Sequence, residues 1–294
     1  MRLSVPAGPD SRNTADGTPT SDVKGAVGGG SKGTGGAARS PFVSRRALVR
    51  LLRTAIVVAI LGLWEWAGAA GVVDRRFFGS PSGTLETLVD IHQSGSLYTN
   101  AAATMLAVAY SLAVGIPAGI LAGAALGVWR FLDEVIEPFL VPFNSLPRLA
   151  LAPLFILWFG LTATAKAAVA VSLIFFIVLF NTRAGIRSVD PDKVLVARSL
   201  NLTRTQIFRK VLLPDAAPVI FASIKLSVTY ALLGVVGSEM IGARDGLGQV
   251  IVFYSATIRV SGVFAVLVVL ALIGLVLARI MAFLERHALH WQEK

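Results

Sequence analysis

Apolar residues fall in long unbroken runs along this chain, not in alternating or two-faced patterns. Six runs stand out, at residues 54–73, 103–128, 136–159, 165–179, 216–241 and 263–283. A helix rises about 1.5 Å per residue, so about 20 residues cross the roughly 30 Å of hydrocarbon in a bilayer. Each run has that reach, the fourth by extending toward Arg183. A membrane barrel needs alternating strands of about ten residues, which these continuous runs are not. Glycine and proline recur inside them, as in "AVGIPAGILAGAALG". Membrane helices tolerate both and use small residues for close packing. The pattern predicts an all-α, polytopic membrane protein with about six transmembrane helices.

Composition sets the ends apart from the middle. Residues 1–41 are rich in Gly, Ser, Thr, Asp and Pro and hold almost nothing that could enter a core. They read as a disordered cytoplasmic tail, a tether or a dispensable overhang. No apolar stretch follows their first basic residue, so a signal peptide is not expected. Residues 42–294 form the transmembrane domain. Only 15% of the chain is charged, against about 25% in a soluble domain. A net charge of +10 follows from basic cytoplasmic loops, and no nucleic-acid partner is expected. The chain has no cysteine, which excludes disulfides, Cys-based metal sites and a thiol nucleophile. His287 and His290 sit near the basic C-terminus, where solvent or lipid headgroups, not a metal, are the expected neighbours. Basic residues precede the first run and follow the second, fourth and sixth. The positive-inside rule then places both termini in the cytoplasm.

The longest of these basic loops, residues 188–214, has local structure written into it. "SVDPDK" offers Asp190 as an N-cap, Pro191 at the first helical position and Asp192 in the first turn. The helix should run to about Leu200. Asn201 stands where a left-handed residue is wanted. Thr203 and Gln206 have capping-box spacing and start a second helix. That helix should end at Leu213, because Pro214 cannot continue it. Ile207, Phe208, Val211 and Leu212 share its apolar face, and Arg204, Arg209 and Lys210 point elsewhere. Read from the residues alone, this helix–break–helix is either an interfacial linker or a docking element.

Here the chain resembles a known family. The loop is similar to the "EAA" loop of permease subunits of binding-protein-dependent ABC transporters. Leu195-Val196-Ala197 stand at the Glu-Ala-Ala positions, Asn201 at the glycine, and Leu213-Pro214 at the Leu-Pro. The acid and the glycine therefore depart from the family pattern. "WEWAG", "GSPSGTLETL", "NSLPRLALAPLFILWFGLTATAK" and "LPDAAPVIFASIKLSVTYALLGVVGSEMIGARDGLGQVI" resemble the nitrate/sulfonate/taurine branch. The likeness covers about residues 64–251. It implies a type I ABC importer permease fold in a bacterial inner membrane. It also implies a permease homodimer, two cytoplasmic ATP-binding cassette subunits and an extracytoplasmic substrate-binding protein. The solute would be a small anion such as sulfonate, taurine or nitrate. The loop would dock on the ATPase, with Ile207, Phe208 and Val211 seated in its groove. The stand-alone alternative, a secondary carrier or channel, has no need of such a loop.

No G-x-x-x-x-G-K-[ST] motif occurs, so ATP-Mg is expected on the partner ATPase and no cofactor on this chain. No catalytic motif or metal-ligand spacing is present either. Charges inside the runs are the candidates for the solute pathway, because burying them in lipid is expensive. These are Arg148, Lys225 and Glu239. Two readings stand for the first two. They line an anion pathway, or Lys225 snorkels and Arg148 pairs with a carbonyl or a carboxylate. Glu239 has the further option of holding the outer loop "GARDGLG". Glu65, between Trp64 and Trp66, is expected at the headgroups.

Overall fold

A computed structural model describes residues 45–288. The predicted tail at residues 1–41 lies outside the described residues. The chain divides after Leu51 into two units. The described part of the first is the opening of helix α1, Arg45–Ala69. The second holds the rest of α1 and everything that follows. All regular structure among the described residues is helical. After α1 come α2 (Arg75–Phe78), α3 (Pro81–Gln93), α4 (Ser96–Val128) and α5 (Arg130–Ser145). A 3₁₀ turn at Arg148–Leu151 leads into α6 (Ala152–Phe159), and then come α7 (Ala163–Arg187), α8 (Pro191–Ser199) and α9 (Arg204–Ile207). A π turn, Phe208–Leu212, leads into α10 (Leu213–Ile241). Helices α11 (Leu247–Ala256) and α12 (Val260–Ala288) complete the order.

Helices α4 and α7 form the centre. Gly115, Gly119, Gly123 and Gly127 recur every four residues on α4 and lie against Ile174, Val178, Thr182 and Ile186 of α7. Spacing of four puts all the glycines on one stripe, and small residues let two membrane helices approach closely. Helix α10 packs on the same pair. Ala107 and Val108 of α4, Ala170 and Ile174 of α7, and Ala231 and Val235 of α10 share one buried cluster. Helix α12 closes against α11 and α3 around Val266, Ile251, Tyr254 and Ile91.

Four helical stretches are long and apolar enough to cross a membrane: Ser96–Val128, Ala163–Arg187, Arg204–Ile241 and Val260–Ala288. The fourth sequence run extends past Arg183, as its length required. The third run is a bent pair of helices, not one straight helix. It breaks between Ser145 and Arg148 and bends by 85°. Pro147 bars its predecessor from helical geometry, and Leu146 is extended, at φ −65° and ψ 134°. The first run is carried by α1, which ends at Ala69. Its uncharged stretch between Arg53 and Glu65 rises only roughly 17 Å. Glu65 accepts from the Ser82 backbone N–H and hydroxyl and pairs with Arg75 at 3.0 Å, which turns the chain into α2 and α3.

Candidate functional site

The 188–214 loop forms the predicted caps. Asp190 accepts from the Asp192 N–H at 2.9 Å, and Pro191 opens α8. Asn201 has φ 56°, the left-handed region open to asparagine. Its N–H donates to the Arg198 carbonyl and that of Leu202 to the Ala197 carbonyl. Thr203 and Gln206 make a complete capping box. The predicted end at Leu213 is overturned. Arg204 to Ile241 is continuous helix, because the π turn absorbs the proline. The Leu213 N–H reaches back five residues to the Phe208 carbonyl, and this widened turn directly precedes Pro214.

The predicted docking face is partly covered by the chain itself. Ile207 is buried, and Phe208 and Leu212 pack against Ile186, Ala216 and Ile220 of α7 and α10. Phe208 therefore faces the bundle, and Val211 is half-buried. What points outward is on α8 and its end. Leu195 is 64% exposed, Val196 59% and Leu200 71%, with Ala197 buried beneath them. Lys193 ties α8 to α10 through Asp215 at 2.6 Å. This hydrogen bond holds the Lys193 ammonium above its ordinary pKa, so it stays charged.

An ion cluster joins α7 to α5 beside this loop. Asp133 is buried. Arg183 Nε lies 2.5 Å from its Oδ1 and Arg187 Nη2 2.5 Å from its Oδ2. Arg183 also reaches Glu137 at 3.0 Å. Sequence reasoning counted both arginines as loop charges and missed Asp133, 50 residues before its first partner.

At the opposite end of the helices Glu239 is fully buried. It meets the Thr104 hydroxyl at 3.0 Å, Lys166 Nζ at 3.3 Å and the Gly248 N–H at 2.9 Å. Lys166 also donates to the carbonyl and carboxylate of Asp245. Thr104 accepts from the Leu247 N–H. Glu239 thus holds the 242–248 loop to α4, α7 and α10, which is the second of its two sequence readings. The protein itself supplies partners to both of its carboxylate oxygens.

Lys225 is half-exposed and pairs with Glu285 of α12 at 3.1 Å, so its charge is matched within the chain. Arg148 lies at the break between α5 and α6 and is 8% exposed. Its guanidinium donates to the Leu146, Phe143 and Ser172 carbonyls and to Asn144 Oδ1. It also stacks on Phe176, at 4.2 Å from the ring centroid. A cleft of about 310 Å³ opens beside it, lined also by Asn144, Leu173, Ile177, Leu226 and Tyr230.

Residues 115–290 match the binding-protein-dependent transport system inner membrane component family. The chain belongs to this family. Among permease relatives, SsuC of Bacillus subtilis (strain 168), named for aliphatic sulfonates transport, is 32% identical over 242 residues. That match covers 82% of this chain and 87% of the relative. The taurine transport system permease protein TauC of Escherichia coli (strain K12) is 26% identical, over 80% of this chain and 87% of its own. The formylaminopyrimidine transport permease protein ThiX of Halalkalibacterium halodurans is 28% identical, over 85% and 99%. The permease fold also matches a crystal structure of an amino acid ABC transporter. That match has a TM-score of 0.55 at 21% identity and covers 69% of this chain and 97% of that one. This is the type I ABC importer permease fold. The permease is a multi-pass membrane protein and a transport component.

Proposed function

We propose that this permease forms the translocation path for a small anion and is driven by a partner ATPase that docks on α8. The outward Leu195, Val196 and Leu200 carry the reading. Three large apolar side chains stand on a capped helix beside basic loop residues, and a flexible linker needs neither the caps nor the exposed face. Docked there, the ATPase pushes on a rigid lever. The Lys193–Asp215 pair passes the push to α10. The Arg183 and Arg187 contacts to Asp133 pass it from α7 to the broken span. ATP-Mg is bound and hydrolysed on the partner. A homodimer of this permease, two ATPase subunits and an extracytoplasmic binding protein complete the importer. The names of SsuC and TauC support a sulfonate-like solute, and that of ThiX supports a pyrimidine as the rival.

Leu195→Asp with Leu200→Asp is expected to cut ATPase co-purification at least tenfold, since an interface anchor contributes about 2 kcal/mol or more. Phe208→Ala should leave docking intact and lower the thermal midpoint instead. Asn201→Gly should be tolerated, and Asn201→Val should uncouple hydrolysis from uptake, because a β-branched residue resists positive φ. Full recovery and coupling of the double variant would show the loop to be a linker.

The orientation follows the basic side. Arg130, Arg187, Lys193, Arg198, Arg209 and Lys210 lie at one end of the crossing helices, and this end is cytoplasmic. A cysteine at Ser188 should be shielded from an impermeant external thiol reagent in intact cells, and one at Gln93 should react. The opposite labelling inverts the topology.

A further inference from the structure

We infer that the cleft at the break between α5 and α6 is a binding site for a small monoanion within the membrane path, with Arg148 as its charge. The inference rests on the transport reading above and adds where the solute is held.

The distribution of countercharges carries it. Lys166 faces Glu239 and Asp245, Arg183 and Arg187 face Asp133, and Lys225 faces Glu285. Each of these bases has its charge matched by a carboxylate. Arg148 is more than nine-tenths buried and faces none among the described residues; its four acceptors are three carbonyls and an amide oxygen. Neutral acceptors satisfy hydrogen bonds and leave the charge itself uncompensated. An arginine cannot escape by losing its proton. The site therefore carries a net positive charge that a bound anion would match.

Geometry agrees. Four N–H groups are engaged, and a guanidinium has five, so one on Nη1 is left over. Stacking on Phe176 and the bonds to the broken helix end fix the plane. A fixed donor loses little freedom on binding. The cleft, about 310 Å³, admits a solute the size of ethanesulfonate, and Asn144 and Tyr230 supply further polar groups on its wall. The larger cavity nearby, about 680 Å³, is lined by Tyr110, Val114, Phe155, Phe159 and Phe175 and by no charged residue. An apolar chain suits that cavity; an anion suits the smaller one.

The test uses the permease with its ATPase subunits in lipid nanodiscs, titrated calorimetrically with ethanesulfonate and nitrate. Ethyl methyl sulfone serves as the uncharged control and ethylammonium as the cationic one. Wild type should bind at least one of the anions saturably and at least tenfold more tightly than either control. Arg148→Gln should lose that preference tenfold or more, Arg148→Lys less, and Lys225→Ala should keep it. Leu226→Trp fills the cleft without touching the bonds of Arg148, and it should abolish anion binding at an unchanged melting temperature. This variant decides the matter if Arg148→Gln fails to fold. Wild type showing no anion preference, or Leu226→Trp binding like wild type, overturns the site. If that happens while the ATPase still co-purifies and couples, the transport reading stands alone. Intact anion binding with no ATPase recovery sinks the transport reading instead.

Discussion

Exchanging Glu239 for alanine should destabilise the permease by about 3–5 kcal/mol, the usual result of stripping one partner from a buried ion pair. The variant leaves Lys166 buried, with only the half-exposed Asp245 beside it. It also removes the acceptor for the Gly248 N–H and the Thr104 hydroxyl. The loop is also shaped to this carboxylate. Gly246 has φ 110°, and a Cβ there would stand 2.1 Å from Glu239 Oε1. The glycines of "DGLG" are thus shaped around this carboxylate. Glu239→Gln keeps the shape and one acceptor and should fall between wild type and alanine. Lys166→Met combined with Glu239→Leu removes both charges and should recover part of the loss, because an apolar pair of similar volume is often no worse than the ion pair. Thermal unfolding in detergent measures all three. A Glu239→Ala variant that melts with wild type would disprove the latch.

What the sequence made legible was local. Asp190, Asn201 and the Thr203–Gln206 box act on backbone within four residues, so spacing alone places them. The apolar runs located the crossing helices for the same reason. What it hid was of two kinds. The partners of Arg183, Lys166 and Lys225 lie 50, 73 and 60 residues away, and no pattern within one helix points to them. Lys225 therefore kept two readings in the sequence, and its partner Glu285 could not be named from either. The second kind is a change of period. The face containing Phe208 and Val211 was drawn at about 3.6 residues per turn. The π turn at Phe208–Leu212 breaks that count, and Phe208 and Leu212 pack on the bundle while Val211 stays half-buried. The proline that was read as a stop is the reason the turn widens. Likewise Pro147 marked a break that the apolar run on both sides concealed.

Gly123→Leu should be the most damaging single change in the centre of the bundle, abolishing recovery of folded permease. Glycine inside a helix ordinarily costs about 1 kcal/mol relative to alanine, so in open surroundings a larger residue is favourable. At Gly123 the sign inverts. A Cβ there would lie 2.5 Å from the Leu179 carbonyl oxygen and 2.8 Å from Thr182 Cβ of α7. The first of these is backbone and cannot swing aside, so α4 and α7 must separate. Separation opens the interface along the whole stripe, because Gly119 sits nearly as close: a Cβ on it would stand 2.9 Å from the Phe175 carbonyl oxygen. Lipid is no poorer a solvent for apolar side chains than the interface is, so lost packing is not recovered elsewhere. Overpacking a filled core by even a methyl costs about 1–3 kcal/mol, which is the expected effect of Gly123→Ala. Gly62 is the matched control. It lies inside α1, where an added Cβ would meet nothing within 4 Å, and Gly62→Ala should be neutral or mildly stabilising. Monodisperse yield and thermal midpoint, measured for the three variants side by side, separate the cases. If Gly123→Ala behaves like Gly62→Ala, the helices are not held at the distance the glycines permit, and the account of the bundle's centre fails.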